Sequence, residues 1–393
     1  FSFASDLNNW PKEALPSKKI LSEFFQDIPY TASNDNLSKK FIHMKDNYNE
    51  YIPTSEWMQL KKKFDEFNTD SFLSGFPRTL TKNDNCINCG LCMTGCSSSV
   101  FYNASEEFIS LINKNQIKYF SEYEVSKILK ENEKLSIFFK NKLKVEKFDK
   151  IFLAAGALQS AKIILNSANF KNKILLKYVH GVAVPLISSI KYNFDWPRTN
   201  TLSKLFLEFK SSIVPKWVHC QLNQPNEIIL NMLKYKFFGK FIPKFYKFFL
   251  SRLFVLNYDV HSDYNGHYEI SKGNYEDQLN IKNISNANSQ FYYKSIFDDI
   301  SLILKKNGFY TNKFFVNFNN NSDTYYAGST FPMTSNLKKN DNETNTLGEL
   351  DELKNVHIVD SSTFPQIPAT TFGLLSMINS ARITSCSLKF YNT

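Results

Sequence analysis

Val356-His-Ile-Val-Asp-Ser-Ser-Thr-Phe-Pro-Gln-Ile-Pro-Ala-Thr-Thr-Phe-Gly-Leu-Leu-Ser-Met-Ile-Asn-Ser-Ala-Arg-Ile383 reads as a strand, an acidic strand end, a stiff loop and a helix. Val356, Ile358 and Val359 suit a short buried strand, while Leu374, Met377, Ile378 and Ala381 recur at the three-and-four spacing of one helical face. Pro365 and Pro368 fix two φ angles and remove two amide donors, so the stretch between cannot extend a sheet. Thr370 or Thr371 can cap the helix that follows. A helix start whose N–H groups point outward favours an electron-rich ring or a phosphate, as a flavin or a dinucleotide offers. The segment predicts a cofactor cradle.

Asp149-Lys-Ile-Phe-Leu-Ala-Ala-Gly-Ala-Leu-Gln-Ser-Ala-Lys-Ile-Ile-Leu165 repeats this grammar. Ile151 to Leu153 make a buried strand, Gly156 permits close backbone approach, and Leu158, Ala161 and Leu165 give the helix an apolar face. Taken alone, such a junction occurs in many α/β proteins without a cofactor.

Together the two segments resemble the glucose-methanol-choline (GMC) oxidoreductases, flavoenzymes in which a strand-Asp-x-Ser-x-Phe-Pro loop and an internal Ala-Ala-Gly strand end hold FAD. They stand in family order, about two hundred residues apart. Asn9-Trp-Pro-Lys-Glu-Ala-Leu15, followed by Ile20 to Ile28 and Pro29, looks like the stretch after the family's first FAD-binding segment. The resemblance implies an α/β chain (α+β overall) with an FAD/NAD(P)-binding Rossmann-like domain and an antiparallel-sheet substrate domain. It also implies FAD contacts from Val125, Ala155, Gly156, Asp360, Ser361, Ala369, Thr370 and Phe372, with the Val125 backbone presented to adenine. The twelve glycines include no pair separated by one residue, and the chain opens at Phe1. With no G-x-G-x-x-G fingerprint, the expectation is a fragment lacking its first βαβ unit and binding FAD poorly as given. The expected parts are a linker or cap over 1–98 carrying the cysteines, an FAD-binding domain from 99–167 and 347–393, and a substrate domain over 168–346.

At 393 residues and 42% hydrophobic, the chain can bury a large core in about two domains. Its net charge of +10 comes from scattered lysines, which read as a solvated face, and no nucleic-acid recognition motif or solenoid repeat is present. No apolar run of about eighteen residues exists to span a membrane. The expected location is cytoplasmic, with peripheral membrane contact through 231–256. There aromatic residues alternate with Lys234, Lys236, Lys240, Lys244, Lys247 and Arg252. The competing reading of that segment is a pair of helices broken near Pro243 and packed on the substrate half.

Cys86-Ile-Asn-Cys89-Gly-Leu-Cys92-Met-Thr-Gly-Cys96 has the C-x2-C-x2-C-x3-C spacing of bacterial ferredoxins, without the proline that follows their last cysteine. An iron–sulfur cluster, tetrahedral zinc and reduced thiols shaping a loop all remain open. Cys220 and Cys386 read as core residues. The resemblance extends here: sugar dehydrogenases and a polysaccharide-associated branch of the family carry a similar cysteine stretch, and Ser97 to Asn103 matches theirs. That implies a sugar-like or polyol alcohol as substrate and an external electron acceptor.

In the family a His takes the hydroxyl proton while hydride passes to the flavin, and a second His or Asn positions the substrate. The matching stretch, Asp323-Thr-Tyr-Tyr-Ala-Gly-Ser-Thr-Phe-Pro-Met333, has Tyr325 or Tyr326 at the first place, and Thr371 takes the second. A phenol with a pKa near ~10 is a poor base at neutral pH. Three readings stand: His219 or His261 substitutes from the substrate half, a tyrosine donates or relays a proton, or the protein is a catalytically degenerate electron-transfer or scaffold protein built around Cys86–Cys96. His357, inside a buried strand, reads as structural. Phe254–Val260 and Tyr268–Ser271 are expected to form a strand pair across Asp263-Tyr-Asn-Gly266, Tyr292–Leu304 an amphipathic helix, and Lys338–Asn345 a loop.

Overall fold

The structure, a computed structural model, describes residues 7–17, 20, 49–50, 55–76, 80–81, 87, 92, 95–100, 103–131, 134–140, 142–168, 170, 173–191, 205–224, 251–275, 278–319, 326–336 and 340–389. Its largest sheet is antiparallel throughout, in the order β15 (Phe309–Tyr310), β9 (His180–Ser188), β12 (Leu253–Val260), β11 (Trp217–Asn223), β10 (Leu205–Lys210), β2 (Phe72–Gly75). Alternation along β12 sends Phe254, Leu256, Tyr258 and Val260 to one face. Helices α1 (Ser55–Asp65) and α4 (Ser289–Lys306) cover that face, placing Trp57, Leu60 and Phe64 and Ile296, Phe297 and Ile300 in the same core. The intervening residues of these strands, among them Glu208, His219 and Asp259, therefore share the opposite face.

A second antiparallel sheet runs β14 (Leu279–Ile284), β13 (His267–Lys272), β8 (Ile174–Tyr178), β16 (Ala327–Gly328). A meander of β4 (Val125–Glu131), β5 (Lys134–Phe139) and β6 (Lys142–Phe148) and a short pair, β1 (Asn49–Glu50) with β3 (Leu80–Thr81), complete the antiparallel elements. β7 (Ile151–Leu153) and β17 (Val356–Ile358) pair in parallel, which requires a long crossover between them. Their core is shared. Leu153, Val356 and Ile358 pack with Ala161 and Ile164 of α3 (Ala157–Ser167) and with Ile174, Leu176 and Ile270 of the second sheet. α2 (Ala104–Asn113) is capped by Asn103, whose side chain accepts from Ser105 N at 2.9 Å, and α5 (Gly373–Lys389) closes the described chain. The chain is thus mixed α/β, a large antiparallel half beside a parallel junction of Rossmann-like character, as expected from the sequence.

Three local expectations are corrected. Phe254–Val260 and Tyr268–Ser271 are both strands, but they lie in different sheets and do not pair. After Val260 the chain enters a 3-10 turn at Ser262–Tyr264, and the Asn265 amide ties it down by donating to the carbonyls of Tyr178 (3.0 Å), Val260 (2.8 Å) and His261 (3.2 Å). The α5 face is rotated by about one position. Leu375, Ile378, Asn379, Arg382, Ile383 and Ser387 are buried, while Met377 and Ala381 are only half-buried. The Arg382 guanidinium is satisfied inside by Asn379 Oδ1 (2.9 Å) and the Thr346 carbonyl (2.6 Å), so polar residues share the inner face. Finally, Leu253–Leu256, the end of the expected membrane segment, is a central strand with Phe254 and Leu256 fully buried. Arg252 donates to the carbonyl oxygens of Ser188 (3.3 Å) and Ser189 rather than standing free for headgroups. Residues 231–250 lie outside the described residues. Among the described residues, no helix is long and apolar enough to cross a membrane.

Asn265 also accepts from Tyr293 Oη at 2.6 Å, which fastens the 3-10 turn to α4. Asn265→Ala is expected to cost on the order of 3 kcal/mol, because it leaves buried carbonyls and a hydroxyl without partners. A lowered denaturant midpoint at unchanged slope is the expected reading.

Candidate functional site

Parallel pairing brings both junctions to one edge. Ile151 N donates to Asn355 O (3.0 Å) and Val359 N to Leu153 O (2.9 Å), so the turn after Leu153 and the loop after Val359 leave adjacent strands side by side. The carboxyl ends of neighbouring parallel strands are where open α/β folds place ligands. Asp360, nearly buried, stitches the two junctions together. Its Oδ2 accepts from Gly156 N (2.9 Å) and Ser160 Oγ (2.5 Å), and its Oδ1 from Ser362 N (2.9 Å). Gly156, at the N-cap of α3, makes no side-chain cap, so the Asp360 carboxylate supplies the negative end that a helix start favours.

The rest of the rim is backbone. Gly156 has φ +83° and ψ 156°, a region essentially reserved for glycine, and a Cβ there would meet nothing within 4 Å. Ala154, Ala155 and Gly156 are exposed where Leu153 is buried. At the other junction Gly373 opens α5, and a Cβ there would also meet open space.

A third segment runs alongside. Ser329, Phe331 and Met333 donate backbone N–H groups to the carbonyls of Ser361, Ser362 and Thr363, each at 2.9 Å. Ser361 Oγ donates to Ala327 O (2.9 Å), and Gly328 lets the chains touch, since its Cβ would lie 2.4 Å from Ser361 O. Trp10 and Ala14 of the N-terminal stretch join Phe364, Ile367, Leu375, Tyr326 and Phe372 in one apolar cluster, with Trp10 5.2 Å from Phe364 ring to ring.

The predicted residues fall as follows. Ala155, Gly156, Asp360, Ser361, Ala369, Thr370 and Phe372 lie on the two junctions, with Ala369 and Thr370 buried. Val125 opens β4, paired with Phe139 beside a register shift, and packs half-buried against the core that holds Leu153, Val356 and Ile358. Thr371 is half-buried beside Phe372. Tyr326 packs edge-on against Phe372 at 5.3 Å, while Tyr325 lies outside the described residues. Burial first, and then the negative charge of Asp259, push the Tyr326 phenol above its ordinary value, which makes it a hydrogen donor and a still poorer base. His261 is buried, its Nδ1 accepts from Asp263 N (3.2 Å), and burial lowers its pKa to about 4, so it is a neutral cap of the 3-10 turn. His357 is buried and directs Nδ1 to Leu347 O at 2.8 Å. Of the four cysteines, Cys92 and Cys96 are free thiols, half-exposed, and Cys86 and Cys89 lie outside the described residues. Among the described residues no group of three or more His, Cys, Asp or Glu could hold a metal ion.

Sequence reading missed Ser160, a small polar residue in a first helical turn, and it missed Glu208 and Asp259. Glu208 and Asp259 lie on either side of His219 by strand register alone. Burial raises the Asp259 carboxyl from its ordinary 3.8 to about 6, with His219 pulling the other way. Since the folded value lies above the unfolded one, the stability from this group is present below about pH 4 and is lost as pH rises through about 6. Asp259→Asn should flatten that part of the stability profile, which urea titrations at several pH values between 4 and 7 would read.

No family model matches the chain, and no curated protein does. Among solved structures, pyridoxine 4-oxidase from Mesorbium loti superposes with a TM-score of 0.58 over 94% of this chain and 77% of that one, at 13% identity. The likeness is one of fold, and it is the fold that the resemblance to the GMC oxidoreductases implies.

Proposed function

We propose that this chain is an FAD-dependent oxidoreductase of the GMC type that oxidises a CH–OH group of a sugar-like or polyol alcohol and passes the electrons to an external acceptor. The observation that carries the reading is the parallel β7–β17 pair with Asp360 joining its two strand ends. The residues present suit FAD: a positive-φ glycine with open space beyond it, an exposed strand end and a glycine-led helix start form a cradle that side chains would fill. Gly156, Ala155 and the 369–372 loop would hold the cofactor, and Val125 would offer its backbone to the adenine. When bound, FAD supplies a two-electron acceptor for hydride. Tyr326 donates a hydrogen bond to a substrate oxygen, and Thr371 lines the same entrance. The solved fold relative is by its name an oxidase, which agrees with the reading at the level of oxidoreductase. No step is assigned to the cysteines.

A second reading, a catalytically degenerate electron-transfer or scaffold protein, draws on the raised phenol of Tyr326 at the place of the family's base. Saturating the full chain with FAD and adding sorbitol without oxygen separates the two. Bleaching of the flavin band by sorbitol supports the enzyme. Flavin that only dithionite can reduce supports the scaffold.

A further inference from the structure

While α4 buries Tyr293, Ile296, Phe297, Ile300 and Leu304 against the six-stranded sheet, its opposite stripe is not purely polar. Phe291, Lys294, Asp298, Leu302 and Lys305 recur at the three-and-four spacing and form one outward face. On it Phe291 and Leu302 are 62% and 63% exposed. A surface helix ordinarily keeps such positions polar.

A second element adds to that face. The chain after β15 returns along α4: Lys313 pairs with Asp298 at 2.7 Å, Phe318 packs edge-on against Phe297 at 5.6 Å, and Asn319 Oδ1 accepts from Gln290 Nε2 at 3.5 Å. These contacts set the 3-10 turn Lys313–Phe315 beside the helix. The turn is firmly built, since Asn312 Oδ1 accepts from Phe314 N at 2.9 Å and Val316 is buried in the main core. Its two rings are not buried. Phe314 and Phe315 are 87% and 67% exposed, with centroids 5.4 Å apart and planes nearly perpendicular. Rings so bare project from the surface rather than line a socket. Phe291, Leu302, Phe314 and Phe315 thus share one ridge, where exposed apolar side chains normally stand singly.

Charge decides what the ridge fits. Lys294 and Lys305 are exposed on the stripe, and the Asp298 carboxylate is already held by Lys313. Asp299 turns inward, accepting from Ser211 Oγ (2.6 Å), Ser212 N (2.8 Å) and Ser212 Oγ (3.0 Å). The ridge is therefore apolar and cationic. A second copy of this chain meeting it about a two-fold axis would set lysines against lysines. A lipid surface suits both kinds of group, because the rings can enter the acyl boundary while the ammonium groups stay level with anionic headgroups.

We propose that the α4 ridge, led by Phe314 and Phe315, docks this protein peripherally on an anionic membrane. It is a different surface from 231–256, the stretch for which the sequence predicts membrane contact.

Co-sedimentation of the full chain with phosphatidylcholine vesicles, with and without one-third phosphatidylserine, tests this. The parent should bind the phosphatidylserine vesicles at least about tenfold more strongly and lose that excess as salt is raised. Phe314→Ser with Phe315→Ser should weaken the binding at least about tenfold. Lys294→Gln with Lys305→Gln should weaken it about tenfold on the anionic vesicles. All four positions are exposed, so both variants should unfold thermally as the parent does, which checks the fold. Parent protein that stays in the supernatant overturns the proposal. So does binding that either variant retains in full, which would place the contact elsewhere in the chain. A concentration-dependent dimer that Phe314→Ser with Phe315→Ser dissolves, without vesicle binding, would assign the ridge to a second copy instead.

Discussion

Asp360→Ala is expected to destabilise the protein by about 4 kcal/mol and to abolish FAD binding. The carboxylate accepts three hydrogen bonds from two separate chain segments, and each bond to a charged acceptor is worth about 1.5–3 kcal/mol, though the three are not additive. Removing it strands the Ser362 N–H and the Ser160 hydroxyl, both in fully buried residues, and leaves the exposed Gly156 N–H to water. It also takes the negative charge from the start of α3. Asp360→Asn should recover less than half of the loss, because an amide NH2 must then face a donor. Denaturant unfolding of the three proteins, with FAD titration of each, gives both numbers.

Gly156→Ala is expected to separate stability from binding. Its backbone, at φ +83° and ψ 156°, costs a side-chain-bearing residue about 1–3 kcal/mol in strain. No atom lies within 4 Å of the new methyl, so the folded protein loses nothing further to a clash. The methyl instead projects where the cofactor would lie, and FAD affinity should fall at least about tenfold beyond what the stability loss explains. Equal losses of the two would mean that this turn faces no ligand.

Both junctions were legible because each is local: an apolar run, turn residues and a helix within one continuous stretch, 149–165 and 356–383. The parallel contact between them is seen only in the structure, since nothing in either segment alone names its partner. The expected hairpin over 254–271 failed because the Asn265 amide, reading as a turn residue, anchors a 3-10 turn to three carbonyls and sends the chain to another sheet. The α5 face came out rotated because apolar periodicity cannot foresee a buried Arg382 satisfied by Asn379 and a loop carbonyl. Glu208, His219 and Asp259 are brought together by register across three strands, and one-dimensional spacing carries no trace of that. Tyr325, Cys86 and Cys89 lie outside the described residues, so those expectations stand where the sequence left them.

The contact on which the account depends is Asp360 with Ser160, since it joins the two strand ends into one cradle. A double-mutant cycle of Ser160→Ala and Asp360→Ala, read by denaturant unfolding, measures it directly. A coupling of about 1.5–3 kcal/mol is predicted for groups hydrogen-bonded at 2.5 Å. Losses that add to within about 0.5 kcal/mol would place the two junctions apart and contradict the account.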